Sequence, residues 1–254
     1  MKKLTLIIAS CLFMAYTANA ETNAYSKNQD KKITFGVRAG VNISGITGTK
    51  NYTGIWDSQK NKMKGGISLG GIVDFKVHQY IAVQTGLYYS MQGGKTKYES
   101  IGVGFTDTDK NTTTLHYLKV PLLASFRYDF NTKLPVQLQV STGPYMAVAI
   151  GGKYKDKYTF DGGSGEIKGK VFGYDVQTDA EGDQIDLSSH SNRGDIGWIV
   201  DAGVVLAKHY YIGMSYSAGF INISNNTPVE INGMWAKPDK NKNSVLSISV
   251  GYNF

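Results

Sequence analysis

Apolar and polar residues alternate with a period of two in eight stretches of this chain. The apolar series run Ile33–Ile43, Ile67–Phe75, Ile81–Tyr89, Leu118–Tyr128, Val136–Thr142, Ile196–Leu206, Tyr210–Phe220 and Leu246–Phe254. Side chains along a strand point alternately to opposite faces, so each stretch predicts a strand with one apolar and one polar face. Each is of the order of ten residues, the length that crosses a bilayer when tilted. The connections alternate too: 44–65, 91–113, 148–194 and 221–243 are long, whereas 77–79, 129–134 and 207–209 are short. All long connections therefore fall at one end. The pattern predicts an all-β fold, an eight-stranded antiparallel up-and-down transmembrane β-barrel with long outer loops and short periplasmic turns.

A soluble ligand-binding barrel has the same period with the apolar face turned inward, so the identity of the polar set decides the facing. A water-facing strand surface is rich in Lys and Glu. Here Glu21, Glu99, Glu166, Glu181 and Glu230 all lie outside the alternating stretches, and only Lys76 and Lys119 of the lysines lie within them. The polar face is Gly, Ser, Gln and Asn with a few charges, which suits a narrow lumen. Arg38, Lys119 and Arg127 can pair there with Asp74, Asp195 and Asp201, a neutral internal network as burial demands. Tyr88 and Tyr145 add bulk to the same lumen. Aromatic residues on the apolar face gather toward strand ends, as lipid-boundary girdles do.

Composition fits this picture: 30 Gly and 17 Tyr disfavour helices, and 5 Pro and 1 Cys exclude a collagen-like or disulfide-stapled chain. Residues 1–20 read as a signal peptide, with Lys2 and Lys3, an apolar stretch Leu4–Tyr16 and cleavage after Ala18-Asn19-Ala20. Cleavage there removes the single cysteine and lowers the formal charge of +7 by two. Residues 21–32 then form a periplasmic segment and 33–254 the barrel domain. The four long connections carry formal charges of about +3, 0, −2 and +1, so along the chain no basic stripe emerges and nucleic acid is not an expected partner.

Several segments resemble the PorT-like outer-membrane β-barrel family: Phe35-Gly-Val-Arg-Ala-Gly-Val-Asn42, Tyr117-Leu-Lys-Val-Pro-Leu-Leu123, Gly143-Pro-Tyr145, Asp195-Ile-Gly-Trp-Ile-Val-Asp-Ala-Gly-Val204, Tyr216-Ser-Ala-Gly-Phe-Ile-Asn-Ile223 and Gly251-Tyr-Asn-Phe254. The resemblance covers about residues 33–254 and implies architecture rather than activity. Its name-giving member is associated with protease secretion, and no functional residue carries over with the name. The terminal Phe254 resembles the signal read by the outer-membrane insertion machinery.

Enzyme signatures are weak. Gly66-Ile67-Ser68-Leu69-Gly70 matches the nucleophile-elbow pattern, but Ser68 sits inside an alternating strand rather than on a strand-to-helix turn. His116 is the one histidine near the loop-side membrane boundary, where a lipid-modifying enzyme needs a base, and it has no Ser and acid beside it in sequence. Asp175, Asp179, Glu181, Asp183 and Asp186 lack the spacing of a calcium loop. No catalytic, cofactor or metal set is expected. Trp56, Tyr154, Tyr158, Phe172, Tyr174 and Trp235, set among Gly, Ser, Asn and Lys in the long connections, are the candidate recognition residues. The expected protein is a non-enzymatic outer-membrane barrel that meets lipid along its wall and an extracellular or envelope partner through its outer loops. The alternatives are a narrow porin and, third, a lipid-modifying enzyme.

Overall fold

A computed structural model describes residues 32–47, 58–102, 105–130, 135–160, 163–173, 176–178, 184–186, 189–190, 192–223, 229–231, 234–236 and 241–254. The expected signal peptide, most of the 21–32 segment, Trp56, Tyr174, the side chain of Trp235 and the acidic 175–186 side chains lie outside the described residues. Eight long strands form the barrel: β1 (Ile33–Thr47), β2 (Ser58–His78), β3 (Ile81–Gly102), β4 (Phe105–Phe130), β5 (Val136–Phe160), β6 (Gly194–Leu206), β7 (Tyr210–Gly219) and β8 (Lys242–Asn253). Each pairs antiparallel with the next. The ring closes where β8 meets β1, with Gly36 opposite Asn253 and Val41 opposite Ile248. Closure leaves no open edge in lipid, where an unpaired backbone group has no water to bond.

Facing follows the alternation. Val37, Val41, Ile67, Leu69, Leu122, Val140, Ile212 and Ile248 are exposed on the outer wall, while Arg38, Asn42, Asp74, Lys119, Gln139 and Ser141 are buried inside. The polar set is inward and the apolar set outward, the reverse of a soluble ligand-binding barrel. At the turn end the outer aromatics meet one another: Tyr252 stands edge-on to Tyr210 at 5.6 Å and to Phe254 at 5.3 Å, and Tyr128 to Phe130 at 5.1 Å. At the other rim Trp198 donates its ring N–H to Thr142 at 2.8 Å, and the Tyr89 hydroxyl meets His116 Nδ1 at 2.6 Å. Amphipathic rings at two levels mark the two lipid boundaries.

The structure corrects the sequence reading at the outer end. Much of the 91–113 connection is paired strand, because β3 and β4 run on for 22 and 26 residues and only 103–104 separates them. β2 begins at Ser58, inside the expected 44–65 loop, and β5 extends to Phe160, where it pairs with a further strand, Gly163–Lys170. Beyond the hydrocarbon core neither face meets acyl chains, so the apolar period vanishes although pairing continues. Threonines and alternating lysines, not apolar residues, carry the strand pattern there. The result is a five-stranded sheet standing above the barrel wall.

Candidate functional site

Two regions bear on function: the lumen and the raised sheet. In the lumen, Arg127 Nη2 lies 2.6 Å from Asp74 Oδ1, a direct salt bridge toward the turn end. The other opposite charges meet through tyrosines. Tyr211 donates to both oxygens of Asp201, at 2.8 and 2.9 Å, and the Arg38 guanidinium lies over the Tyr211 ring at 4.0 Å. Lys119 Nζ sits 4.2 Å above the Tyr145 ring and donates to Ser217 at 3.2 Å, while Tyr145 donates to Asp195 at 3.0 Å. Asn243 donates to the same Asp195 oxygen at 2.9 Å. All six charges named from sequence thus face the lumen, but only one pair is in direct contact.

The tyrosines fit because glycines face them. A Cβ on Gly197 would stand 2.6 Å from the Tyr145 ring, and one on Gly213 would stand 2.1 Å from the Tyr211 hydroxyl. The sequence reading missed Tyr211, Tyr117 and Asn243 as lumen residues. For Tyr211 the signal was present: it alternates with the outward Tyr210 and Ile212, has Gly213 two residues on along its own strand and lies diagonally across from Gly203.

Between these layers a cavity of about 80 Å3 is lined by Ser68, Ser215, Ser247 and Ser249 together with Arg38 and Lys119, room for roughly a few water molecules. Ser68 stays within β2 and lines this cavity, so no strained turn presents it. Above it, Leu115, Tyr117, Ala149, Val171 and Ile223 form a buried apolar cluster against which Ile46, Tyr154 and Phe172 pack. Of the candidate recognition aromatics, Tyr154 and Phe172 therefore touch the cap of the lumen, and Arg193 lies 4.9 Å over the Phe172 ring. Tyr158 is partly exposed and lies over Gly165, where a Cβ would be 2.2 Å from its hydroxyl.

On the raised sheet Tyr154 and Tyr158 point to the lumen side, so the lysines that alternate with them point outward, the side of Tyr89 and His116. Register aligns these lysines across strands. Lys60, Lys97, Lys110, Lys157 and Glu166 stand side by side in one rung. Lys62, Lys95, Thr112, Lys155 and Lys168 make the next, and Thr114, Lys153 and Lys170 the one nearest the membrane. Among the described residues this face carries ten lysines against Glu99 and Glu166. Lys60 and Lys97 both reach Glu99, and Lys155, Lys157 and Lys168 reach Glu166 at 2.8, 3.3 and 2.6 Å. Hydrogen bonds from Lys155 and Lys168 hold the Glu166 carboxyl down at about 2. Counting charge loop by loop missed this surface because its lysines come from five strands.

The lumen-side face of the same sheet carries the opposite arrangement. Burial, with Asp109 nearby, pushes Asp156 up to about 6. Its ordinary value is 3.8, so as pH falls through about 6 the folded sheet takes up a proton that the unfolded chain does not. Stability of the sheet should rise between pH 7.5 and pH 5 and gain nothing further below the unfolded value. Hydrogen-exchange protection of the β4–β5 amides beyond Leu115, corrected for intrinsic rates, should be greater at pH 5. Asp156→Asn should raise protection at pH 7.5 and flatten the pH dependence; unchanged protection in both comparisons would refute the assignment.

A closed ring of eight strands, apolar against lipid and polar within, defines an outer-membrane β-barrel. The chain belongs to the outer membrane protein beta-barrel domain family, which matches residues 19–225. Among solved structures it is similar to Ail, the attachment invasion locus protein of Yersinia pestis, at 14% identity over 87% of this chain and 98% of that one, with a TM-score of 0.34. OprG from Pseudomonas aeruginosa is similar at 12% identity over 87% and 95%, with a TM-score of 0.39. The outer membrane protease OmpT from Escherichia coli is similar at 9% identity over 91% and 99%, with a TM-score of 0.31. No curated protein matches the sequence.

Proposed function

We propose that this protein is a non-enzymatic barrel that acts through its outer surface and conducts nothing. The observation carrying this reading is the filled lumen: the Arg127–Asp74 bridge, the tyrosine-linked charges and the apolar cluster beneath Val171 follow one another along the axis. Paired ions and rings leave no continuous water path in a ring that eight strands already make narrow. The non-enzymatic part is supported at the outer rim, where the Nδ1 of His116 is taken up by the Tyr89 hydroxyl rather than by a nucleophile. The raised sheet is far longer than the two to five residues that close a hairpin, which favours an outward role in contact with an envelope or extracellular partner. The narrower form of the reading, an accessory role in secretion, rests on the PorT-like resemblance. Export follows cleavage after Ala20, with insertion directed by Phe254.

Purified protein in planar bilayers is expected to give no stable conductance steps. Replacing residues 150–193 with a short turn should keep the heat-modifiable barrel, because Val148 and Gly194 are already paired across β5 and β6. Cross-linked surface partners of the intact protein should be lost from that variant. Reproducible single-channel steps from the intact protein would put the porin reading first, and partner capture that survives the replacement would move the interaction surface elsewhere.

A further inference from the structure

We infer that the outward lysine rungs of the raised sheet are a binding site for the phosphate groups of anionic lipid headgroups in the outer leaflet. The inference needs only the barrel's place in the outer membrane and does not depend on the surface-partner reading above. Position is the first argument. Met91 and Ile150 are the last apolar residues of the outward face before the lysines in β3 and β5, and Lys95 and Lys153 follow four and three residues later. At about 3.3 Å per residue and a tilt near 40°, Lys153 and Lys95 stand roughly 8 and 10 Å above the apolar belt, at the outer side of a headgroup layer about 5–8 Å deep. They project sideways, as the lipid-facing residues below them do, rather than up into the medium.

Electrostatics is the second argument. Lysines sit directly opposite one another at Lys60 and Lys97, Lys62 and Lys95, Lys97 and Lys110, Lys110 and Lys157, Lys155 and Lys168, and Lys153 and Lys170. Like charges directly opposite on adjacent strands oppose pairing. Among the described residues two glutamates stand against ten ammonium groups on this face, so like-charge repulsion acts across the rungs and bound anions relieve it. Between the rungs lies a groove of about 290 Å3 lined by Lys62, Lys95, Lys97, Lys110, Lys155 and Lys157. Strands about 4.8 Å apart let one phosphate bridge two neighbouring ammonium groups, which a lone surface lysine cannot do. A soluble polyanion offers the same chemistry but must come down to the membrane surface to fill the lowest rungs, whose long side chains already reach the headgroups beside them.

The test refolds the full chain into phosphatidylcholine vesicles containing either diphosphorylated lipid A or its dephosphorylated form, and measures retained lipid by native mass spectrometry. Unmodified protein should retain the phosphorylated form at least tenfold over the dephosphorylated one, with the preference falling as salt is raised. The fourfold variant Lys62→Gln, Lys95→Gln, Lys110→Gln, Lys155→Gln should lose the preference, while the corresponding four Lys→Arg changes keep it. Gel migration before and after boiling verifies that each barrel is folded. In phosphatidylcholine alone, the glutamine variant should show greater amide protection of the raised sheet than unmodified protein, because repulsion has been removed. Equal retention of the two lipids by unmodified protein overturns the inference whatever the variants do. Retention of dextran sulfate with no lipid preference would also overturn it, in favour of a soluble polyanion.

Discussion

Asp74→Leu is expected to destabilise the folded barrel by about 3–5 kcal/mol, the range for removing one partner of a buried ion pair. Asp74 is 2% exposed and Arg127 only 15%, and their side chains meet at 2.6 Å inside the ring. Without the carboxylate, the mostly buried guanidinium stays at the inner wall of a turn-end cavity of about 560 Å3, with Gln139 opposite it across β4 and β5 and Ser125 Oγ at 3.4 Å from its Nε. Neither neutral group replaces the lost charge. The double variant Asp74→Leu, Arg127→Met removes both charges and should recover most of the loss. Urea unfolding of the refolded barrel in vesicles, followed by the heat-modifiable gel band, gives the full double-mutant cycle. A single-variant cost below about 1 kcal/mol would mean that water solvates Arg127 from the turn-end cavity, and the Arg127–Asp74 bridge would no longer count as part of the filled lumen.

Met214→Arg is expected to cost about 2–4 kcal/mol, whereas Ser215→Asn, its neighbour on the same strand, should cost about 1 kcal/mol or less. Met214 is 52% exposed on the outer wall between Ala202 of β6 and Ile248 of β8, midway along the lipid-crossing part of β7. A guanidinium there has only lipid around it. Ser215 faces the small serine-lined cavity, where an amide finds hydroxyl partners. The two substitutions differ by one residue and opposite faces, so their ratio reports facing directly. A harmless Met214→Arg with a disabling Ser215→Asn would invert the barrel and make the lumen the apolar side.

The eight strands were legible because lipid imposes the strictest of alternations. Each outward position in the bilayer must be apolar, and each inward position in a narrow ring must be small or paired. Arg38, Asp74, Lys119, Arg127, Asp195 and Asp201 could be assigned to one lumen on that ground, since a charge on the polar face of a membrane strand has nowhere else to go. Which partner each would meet was not legible. Axial height depends on the stagger of neighbouring strands, and register is settled by cross-strand pairing rather than by local sequence. Tyr211 escaped notice for a related reason: next to the outward Tyr210 it reads as one more girdle residue until alternation is followed strictly through the turn.

By itself, then, the sequence determined the strand number, the facing, the end that carries the long connections and the charge balance of the lumen. All of these depend on one-dimensional alternation against a two-sided environment. The tertiary structure alone decided that the expected loops are in large part paired strands, that Tyr145 and Tyr211 stand between opposite charges, and that lysines scattered over residues 60–170 form continuous rungs. Above the hydrocarbon core no acyl chain imposes a period, and a ladder perpendicular to the chain leaves no trace along it. Only the hydrogen-bonded register brings lysines up to 47 positions apart to within one strand spacing of each other.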